Sequence, residues 1–422
     1  MPRSRVRIAW SRVIAAAILV ALVVIAVRPT SVVNDRAPTG TSTLDARERG
    51  KYLAAAGNCV SCHSRPGDPP FAGGVSFTTP FGTIYSTNIT PDDETGIGKW
   101  TAADLRRAMH EGIARGGVYL FPAFPYPSFT KVSDEDVDAI YAYLHSLTPV
   151  RQATPVNGVL LRQRWAMGLW NRLFFTPGRF APDRTQSDEW NHGAYLVEGL
   201  GHCSACHTPR NNFMAEIASE RFSGGLLQED VAPDRQRRWF GVNLTSAKEG
   251  LAAWSLTDLT TYLKTGFSAR AGTFGPMNEV ITGGLSHLSS QDVRAMAVYL
   301  KSLPPRERIG AVITAEEIGA GESIYRSRCE KCHLASGRGG MFAGPPLAGS
   351  AVVQGRDSAS LINIILYGPQ TPKEISFGSW ESMQPYLEVL DDSSVAAVAN
   401  YIRGSWNNHG GPIAPSDVAK QR

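Results

Sequence analysis

The chain of 422 residues, 43% hydrophobic and 19% charged, is long enough for about three globular domains. Its 41 glycines and 27 prolines imply many loops, and nothing in the composition suggests disorder beyond the ends. A formal net charge of +4, with no basic stripe interleaved with aromatics, argues against a nucleic-acid-binding surface.

The N-terminus opens with Arg3, Arg5, Arg7 and Arg12 and then an apolar run over 13–27, or 8–27 if Ser11 and Arg12 sit at an interface. This is an export signal. The run is long for a signal-peptide core and 28–35 offers no Ala-x-Ala site, which favours an uncleaved anchor over a removed peptide. Arginines held on the cytoplasmic side place everything after Arg28 on the far side, in the periplasm.

Three copies of one pattern follow: Cys59-Val-Ser-Cys62-His63, Cys203-Ser-Ala-Cys206-His207 and Cys329-Glu-Lys-Cys332-His333. Together they use all six cysteines. Two thiols at this spacing can each add to a vinyl group of one porphyrin, and the following histidine can turn its imidazole onto the iron, so the pattern is the attachment motif of c-type haem. Zinc knuckles would have to divide into closed four-ligand sites, which three identical pairs do not. A redox dithiol or disulfide framework has no need of the histidines.

Similarity between the copies extends past the motifs. A short helix leads into each: Gly50-Lys-Tyr52-Leu53, Gly193-Ala-Tyr195-Leu196 and Gly319-Ala-Gly-Glu-Ser-Ile-Tyr325. A closing helix carries Val137, Tyr143 and Leu144 in the first copy, Val293, Tyr299 and Leu300 in the second, and Val395, Tyr401 and Ile402 in the third. Ser133 with Asp136, and Ser289 with Asp292, are capping-box-like starts. Between these helices Asn88-Ile-Thr90 matches Asn243-Leu-Thr245, Trp100-Thr101 matches Trp254-Ser255, and Gly112 matches Gly266. These tryptophans and asparagines either pack the core or contact haem propionates. The third copy is shorter and keeps only an outline in Ser360-Leu361 and Gly368.

The connection over 151–184 holds Arg162, Arg164, Trp165, Met167, Trp170, Arg172, Leu173, Phe174 and Phe175. It reads either as a surface lying on a membrane or as a strut packed against neighbouring domains or a partner. Residues after Trp406 read as a polar tail.

A thioether opposite histidine keeps an electron-transfer haem six-coordinate and raises its potential. Gly275-Pro276-Met277 and Met383-Gln-Pro385 stand before the second and third closing helices, so Met277 and Met383 are the expected sixth ligands. In the first copy Pro122-Ala-Phe124-Pro-Tyr126 puts phenylalanine in that place. Its iron is then five-coordinate, water-bound or ligated from elsewhere, with Met109 and His110 the nearest alternatives. His145, His192, His202, His287 and His409 are surface or core histidines by default.

The stretch Thr79-Pro-Phe-Gly-Thr-Ile-Tyr-Ser-Thr-Asn-Ile-Thr-Pro91, with Glu94-Thr-Gly-Ile-Gly98, Trp190-Asn-His-Gly-Ala-Tyr-Leu-Val-Glu-Gly199 and Ala205-Cys-His-Thr-Pro-Arg210, resembles the three-haem cytochrome c subunits of bacterial membrane-bound dehydrogenases. The resemblance covers nearly the whole chain after Leu44. It implies a mainly α fold of three tandem cytochrome c-like haem domains behind an N-terminal transmembrane signal anchor. The expected divisions are an anchor helix at 1–28, a linker at 29–44, haem domains at 45–150, 186–306 and 307–406, an aromatic and basic linker at 151–185, and a tail at 407–422. It further implies three covalent haems c, electrons taken from a periplasmic catalytic dehydrogenase subunit, and delivery to ubiquinone in the inner membrane. Partners in the family are flavin-, quinone- or molybdenum-dependent; Pro-Ala-Phe-Pro-Tyr with an anchor is closer to the cytochromes accompanying molybdenum hydroxylases of aldehydes or N-heterocycles. With no Gly-x-Gly-x-x-Gly fingerprint and no further cysteine, the organic oxidation belongs to another polypeptide. A haem peroxidase using an open first site is the distant alternative, and no distal His/Arg pair is evident for it.

Overall fold

The computed structural model describes residues 43–158, 163–232, 235–307, 312–340, 342–376, 378 and 380–422. The expected anchor and Arg162 lie outside the described residues. Among the described residues no helix is long and apolar enough to cross a membrane.

The secondary structure is mostly helical. In the first third, α1 (Thr43–Ala56) leads into the short α2 (Cys59–His63), a hairpin of β1 (Ser76–Thr79) and β2 (Gly82–Tyr85), α3 (Ala102–Glu111), a second small hairpin, α4 (Tyr126–Phe129) and α5 (Asp134–Leu144). A connecting helix α6 (Trp165–Phe174) precedes α7 (Asp188–Glu198) and α8 (Ser204–His207). A longer hairpin follows, which we label β3 (Gly225–Ala232) and β4 (Arg235–Gly241), and then α9 (Leu256–Thr265), α10 (Met277–Gly283) and α11 (Ser290–Ser302). The last part holds α12 (Ala315–Arg328), α13 (Glu330–His333), α14 (Ala359–Tyr367), α15 (Asp392–Gly404) and α16 (Pro415–Ala419).

Three helix crossings carry the architecture: α1 on α5, α7 on α11, and α12 on α15. Each depends on one glycine. A Cβ at Gly50 would stand 1.9 Å from the Ala139 carbonyl oxygen, one at Gly193 1.9 Å from that of Ala295, and one at Gly321 2.0 Å from that of Ala397. Only the missing side chain lets the two backbones approach. Gly319 meets nothing within 4 Å, so the third copy is in register through Gly321. Tyr325 is therefore not the counterpart of Tyr52 and Tyr195; fully buried, it donates to the Leu334 carbonyl (2.7 Å) and packs on Tyr401 and Trp406. Val137, Val293 and Val395 are all fully buried, as the repeated closing helix predicts.

The first and second helix pairs are joined by reciprocal contacts. Ser133 and Ser289 do cap α5 and α11, accepting from the Asp136 and Asp292 amides at 3.2 and 3.0 Å. The aspartates, however, do not return to the cap amide as a capping box would have them. Instead a tyrosine hydroxyl from the other unit is inserted. The Tyr195 hydroxyl accepts from Ser133 N–H (3.1 Å) and donates to Asp136 (2.6 Å), while Tyr52 accepts from Ser289 N–H (2.8 Å) and donates to Asp292. Arg49 bonds Asp136 and His192 bonds Asp292 (2.6 Å) from within each unit.

The β3–β4 hairpin ties the remaining parts. Asp230 accepts from the Thr78 amide (3.1 Å) and hydroxyl (2.9 Å) in β1. From the other side of the hairpin Phe240 N–H donates to Ser360 (2.8 Å) and the Arg238 carbonyl accepts from Asn363 (2.6 Å), both on α14. The stretch 407–422 is polar as expected but folds back as structure: Asn400 exchanges two hydrogen bonds with Ile413, and Val418 is fully buried.

Candidate haem-binding site

Each Cys-x-x-Cys-His motif folds as a short helical turn, and before the first two the chain turns through a left-handed residue, Asn58 (φ 47°) and His202 (φ 36°). The histidines end these turns in the same way. Nδ1 of His63 bonds the Thr87 carbonyl (2.7 Å), Nδ1 of His207 the Val242 carbonyl (2.7 Å), and Nδ1 of His333 the Pro345 carbonyl (2.9 Å). A carbonyl only accepts, so Nδ1 carries the proton and Nε2 keeps its lone pair. Burial lowers the pKa of all three imidazoles, which suits a neutral metal-binding ring.

The cavity beside the second motif is mostly apolar, about 180 Å³. Cys203, Cys206 and His207 line it together with Met277, Leu259, Trp254 and Tyr262. Met277 opens α10, and the loop before it is clamped: Gly275 has φ 51°, and a Cβ there would stand 2.8 Å from the Trp239 ring. Trp239 is itself buried and donates from Nε1 to Glu229 (2.6 Å). Met383 lies in a second core with Cys329, Leu347 and Tyr386.

The first copy differs as its sequence requires. Phe124 packs into the same core as Cys59, edge-on to Phe129 with ring centroids 5.2 Å apart. Met109 is buried in that core too. His110 is drawn instead toward Asp134, with Nδ1 3.6 Å from the carboxylate that also receives Arg179.

These residues fit a covalent haem better than the other chemistries of paired cysteines. Burial, the first cause in each case, pushes Cys59 and Cys203 up to about 12 and Cys62 and Cys329 up to about 11. A redox dithiol needs its thiolate stabilised. Among the described residues no three His, Cys, Asp or Glu side chains converge as a closed zinc site would require. An apolar cavity walled by the fixed imidazole of His207 and the thioether of Met277 has the donor set of an electron-transfer haem.

This cavity also reaches residues beside the other two motifs. Ala56 and Asn58, just before Cys59, line it, and Cys206 is close enough to Cys62 to raise its pKa after burial has done so. Pro346 lines it as well, next to the Pro345 whose carbonyl holds His333.

Several residues escaped sequence reading. His202 bridges the first two motifs, with Nε2 3.3 Å from the Gly57 carbonyl and its ring on Phe129; its place one before Cys203, opposite Asn58, was the available signal. Trp239 carried none. Of the open choices, Asn88 and Asn243 are structural: each accepts from the amide and hydroxyl of the threonine two residues on and donates to a distant carbonyl, Val150 (2.7 Å) or Arg306 (3.0 Å). Trp254 does line the cavity, stacked edge-on against Tyr262.

Helical fold, fixed histidines and apolar cavity together define a c-type cytochrome, a protein that binds haem c and transfers electrons. Residues 47–148 match the cytochrome c family model and residues 316–402 that of cytochrome c oxidase, cbb3-type, subunit III. The chain is 40% identical to the gluconate 2-dehydrogenase cytochrome c subunit of Pantoea cypripedii, over 89% of each chain. It is 37% identical to the cytochrome c subunit of the quinone alcohol dehydrogenase of Gluconobacter oxydans, over 89% of this chain and 82% of the relative. It is also 41% identical to a nicotinate dehydrogenase subunit of Pseudomonas putida over 84% of this chain, spanning 30% of that relative's length. The chain belongs to the family of cytochrome c subunits of dehydrogenases.

Proposed function

We propose that the chain carries three covalent haems c, one in each of three tandem domains divided as the sequence predicts, and conducts electrons from a periplasmic catalytic dehydrogenase subunit to ubiquinone in the inner membrane. The observation that carries the reading is the threefold recurrence of an Nδ1–carbonyl bond on the histidine of each motif. Bound haem supplies a one-electron iron couple. The thiols of Cys59, Cys62, Cys203, Cys206, Cys329 and Cys332 would hold the porphyrins, and Nε2 of His63, His207 and His333 would bind the irons. Met277 and Met383 would supply thioether sulfurs to two of the irons. The carbonyl bonds stop the imidazole rings from turning, the Trp239 clamp fixes the Met277 loop, and the leucine and aromatic walls keep water out. The reach of the second-motif cavity to residues beside both other motifs supports a central place for the second haem.

A molybdenum hydroxylase partner acting on an N-heterocycle is supported by the likeness to the nicotinate dehydrogenase relative. A flavin- or quinone-dependent partner is supported by relatives aligned over most of their own length. Identification of the polypeptide that co-purifies from membranes separates the two.

Matured protein should give three haems per chain by pyridine haemochrome assay, and two or fewer would end the three-domain reading. Met277→Ala and Met383→Ala should each remove one sulfur-to-iron charge-transfer band in the near infrared. An unchanged spectrum would reject that ligand.

A further inference from the structure

The connection over 151–182 contains five arginines (Arg151, Arg162, Arg164, Arg172 and Arg179) and no aspartate or glutamate, although the whole chain carries a net charge of only +4. In its middle, α6 is pinned by one face. Tyr126 donates to Asn171 (2.5 Å), Asn171 donates to the Glu111 carbonyl (3.2 Å), Trp170 donates to the Phe213 carbonyl (2.8 Å), and Gly168 lies against the Tyr119 ring. To this extent the strut expected from sequence is present. The opposite face is bare. Trp165 is 70% exposed, Leu169 40% and Leu173 53%, and their four-residue spacing sets them in one stripe. Phe213, 62% exposed, stacks on Phe174 at the end of that helix, with centroids 5.6 Å apart. Arg172, seven residues after Trp165 and so on the same side, is exposed and has no carboxylate partner among the described residues.

We infer that this face of α6 lies on the surface of an anionic phospholipid bilayer, with Trp165, Leu169 and Leu173 in the headgroup–acyl boundary and Arg172 on lipid phosphate. Three features favour lipid over a protein partner. A tryptophan–leucine stripe edged by arginine is the composition of an interfacial helix. Absence of acid over the whole of 151–182 leaves nothing in this connection to repel anionic headgroups, whose attraction is about 1 kcal/mol per basic side chain near the surface. The apolar run at 13–27 is joined to the body by the short stretch 28–42, which spans at most about 50 Å when extended, so an anchor there holds the body against the membrane. The consequence for function lies beneath the helix, where Met167 and Trp170 share a small core with Phe124 and Tyr126 of the first unit and Ala215 of the second. The edge where the first and second haem domains meet is then seated at the lipid, and electrons leave toward quinone from that side. The inference rests on the membrane-bound reading proposed above.

The test is photo-crosslinking in the full chain with its catalytic partner, in native membranes. p-Benzoylphenylalanine replaces Trp165, Leu169 or Leu173 in turn, with the inward Met167 as control, and adducts are identified by mass spectrometry. Phospholipid adducts at the three outward positions and at least fivefold fewer at 167 are expected. Arg172→Glu should cut the lipid yield at 169 several-fold while haem content and haem reduction by substrate stay as in the parent. Adducts to another polypeptide, or no lipid adduct at any outward position, overturn the inference. Loss of haem reduction in the unsubstituted chain would instead strike the electron-transfer reading.

Discussion

Replacing Tyr195 by phenylalanine tests the inserted hydroxyl directly. The change deletes a 2.6 Å bond to the Asp136 carboxylate and leaves the Ser133 amide, otherwise bound at 3.1 Å, without its acceptor. A hydrogen bond to a charged group is worth roughly 1.5–3 kcal/mol, and an orphaned buried donor costs about 1 kcal/mol or more. Arg49 still bonds Asp136, so the carboxylate keeps a partner, and a loss of about 3 kcal/mol is expected. Tyr52→Phe makes the same deletion at Asp292, whose side chain is 18% exposed against 5% for Asp136. Water can replace the lost partner there, and about 1 kcal/mol is expected. Hydrogen exchange at the Ser133 and Ser289 amides reads the local opening free energy of each helix start. Guanidinium unfolding followed by Soret circular dichroism reads the whole. Equal effects below about 0.5 kcal/mol at both sites, with the Ser133 amide still protected, would refute the reasoning.

Two further outcomes follow from packing and from charge. Gly321→Ala forces a Cβ to within 2.0 Å of the Ala397 carbonyl and should cost several kcal/mol or prevent maturation, whereas Gly319→Ala, in open space in the same helix, should be neutral or stabilising by up to about 1 kcal/mol; calorimetry compares them, and similar melting temperatures would show that the third crossing is misassigned. Burial first, and then Arg179, lowers His110 to about 4, below the roughly 6.5 of an unfolded chain. The unfolded chain therefore binds a proton that the folded one refuses. Stability is full above about pH 6.5 and falls by up to roughly 3 kcal/mol as pH drops toward 4. His110→Gln should flatten that slope in denaturant titrations at stepped pH, and an unaltered slope would exclude His110 as its source.

Covalent chemistry is local, and so it was readable in the chain. Two thiols and an imidazole bound to one porphyrin need fixed spacing within five residues, and the repeat around them marked Val137, Val293 and Val395 as core and singled out Met277, which lines the same cavity as His207. The absence of sulfur at Phe124 was equally plain. Tertiary structure alone decided what those units do to each other. Tyr52 and Tyr195 read only as members of the helices leading into their own motifs, yet their hydroxyls reach into the cap of the other unit, 237 and 62 positions away in sequence. Gly321 rather than Gly319 sets the third crossing because only one of them faces a carbonyl. Trp239 clamps the Met277 loop from a hairpin with no counterpart signal in the repeat. Such contacts depend on which surfaces meet after the chain has folded, and hydrophobic period and motif spacing carry no record of that meeting.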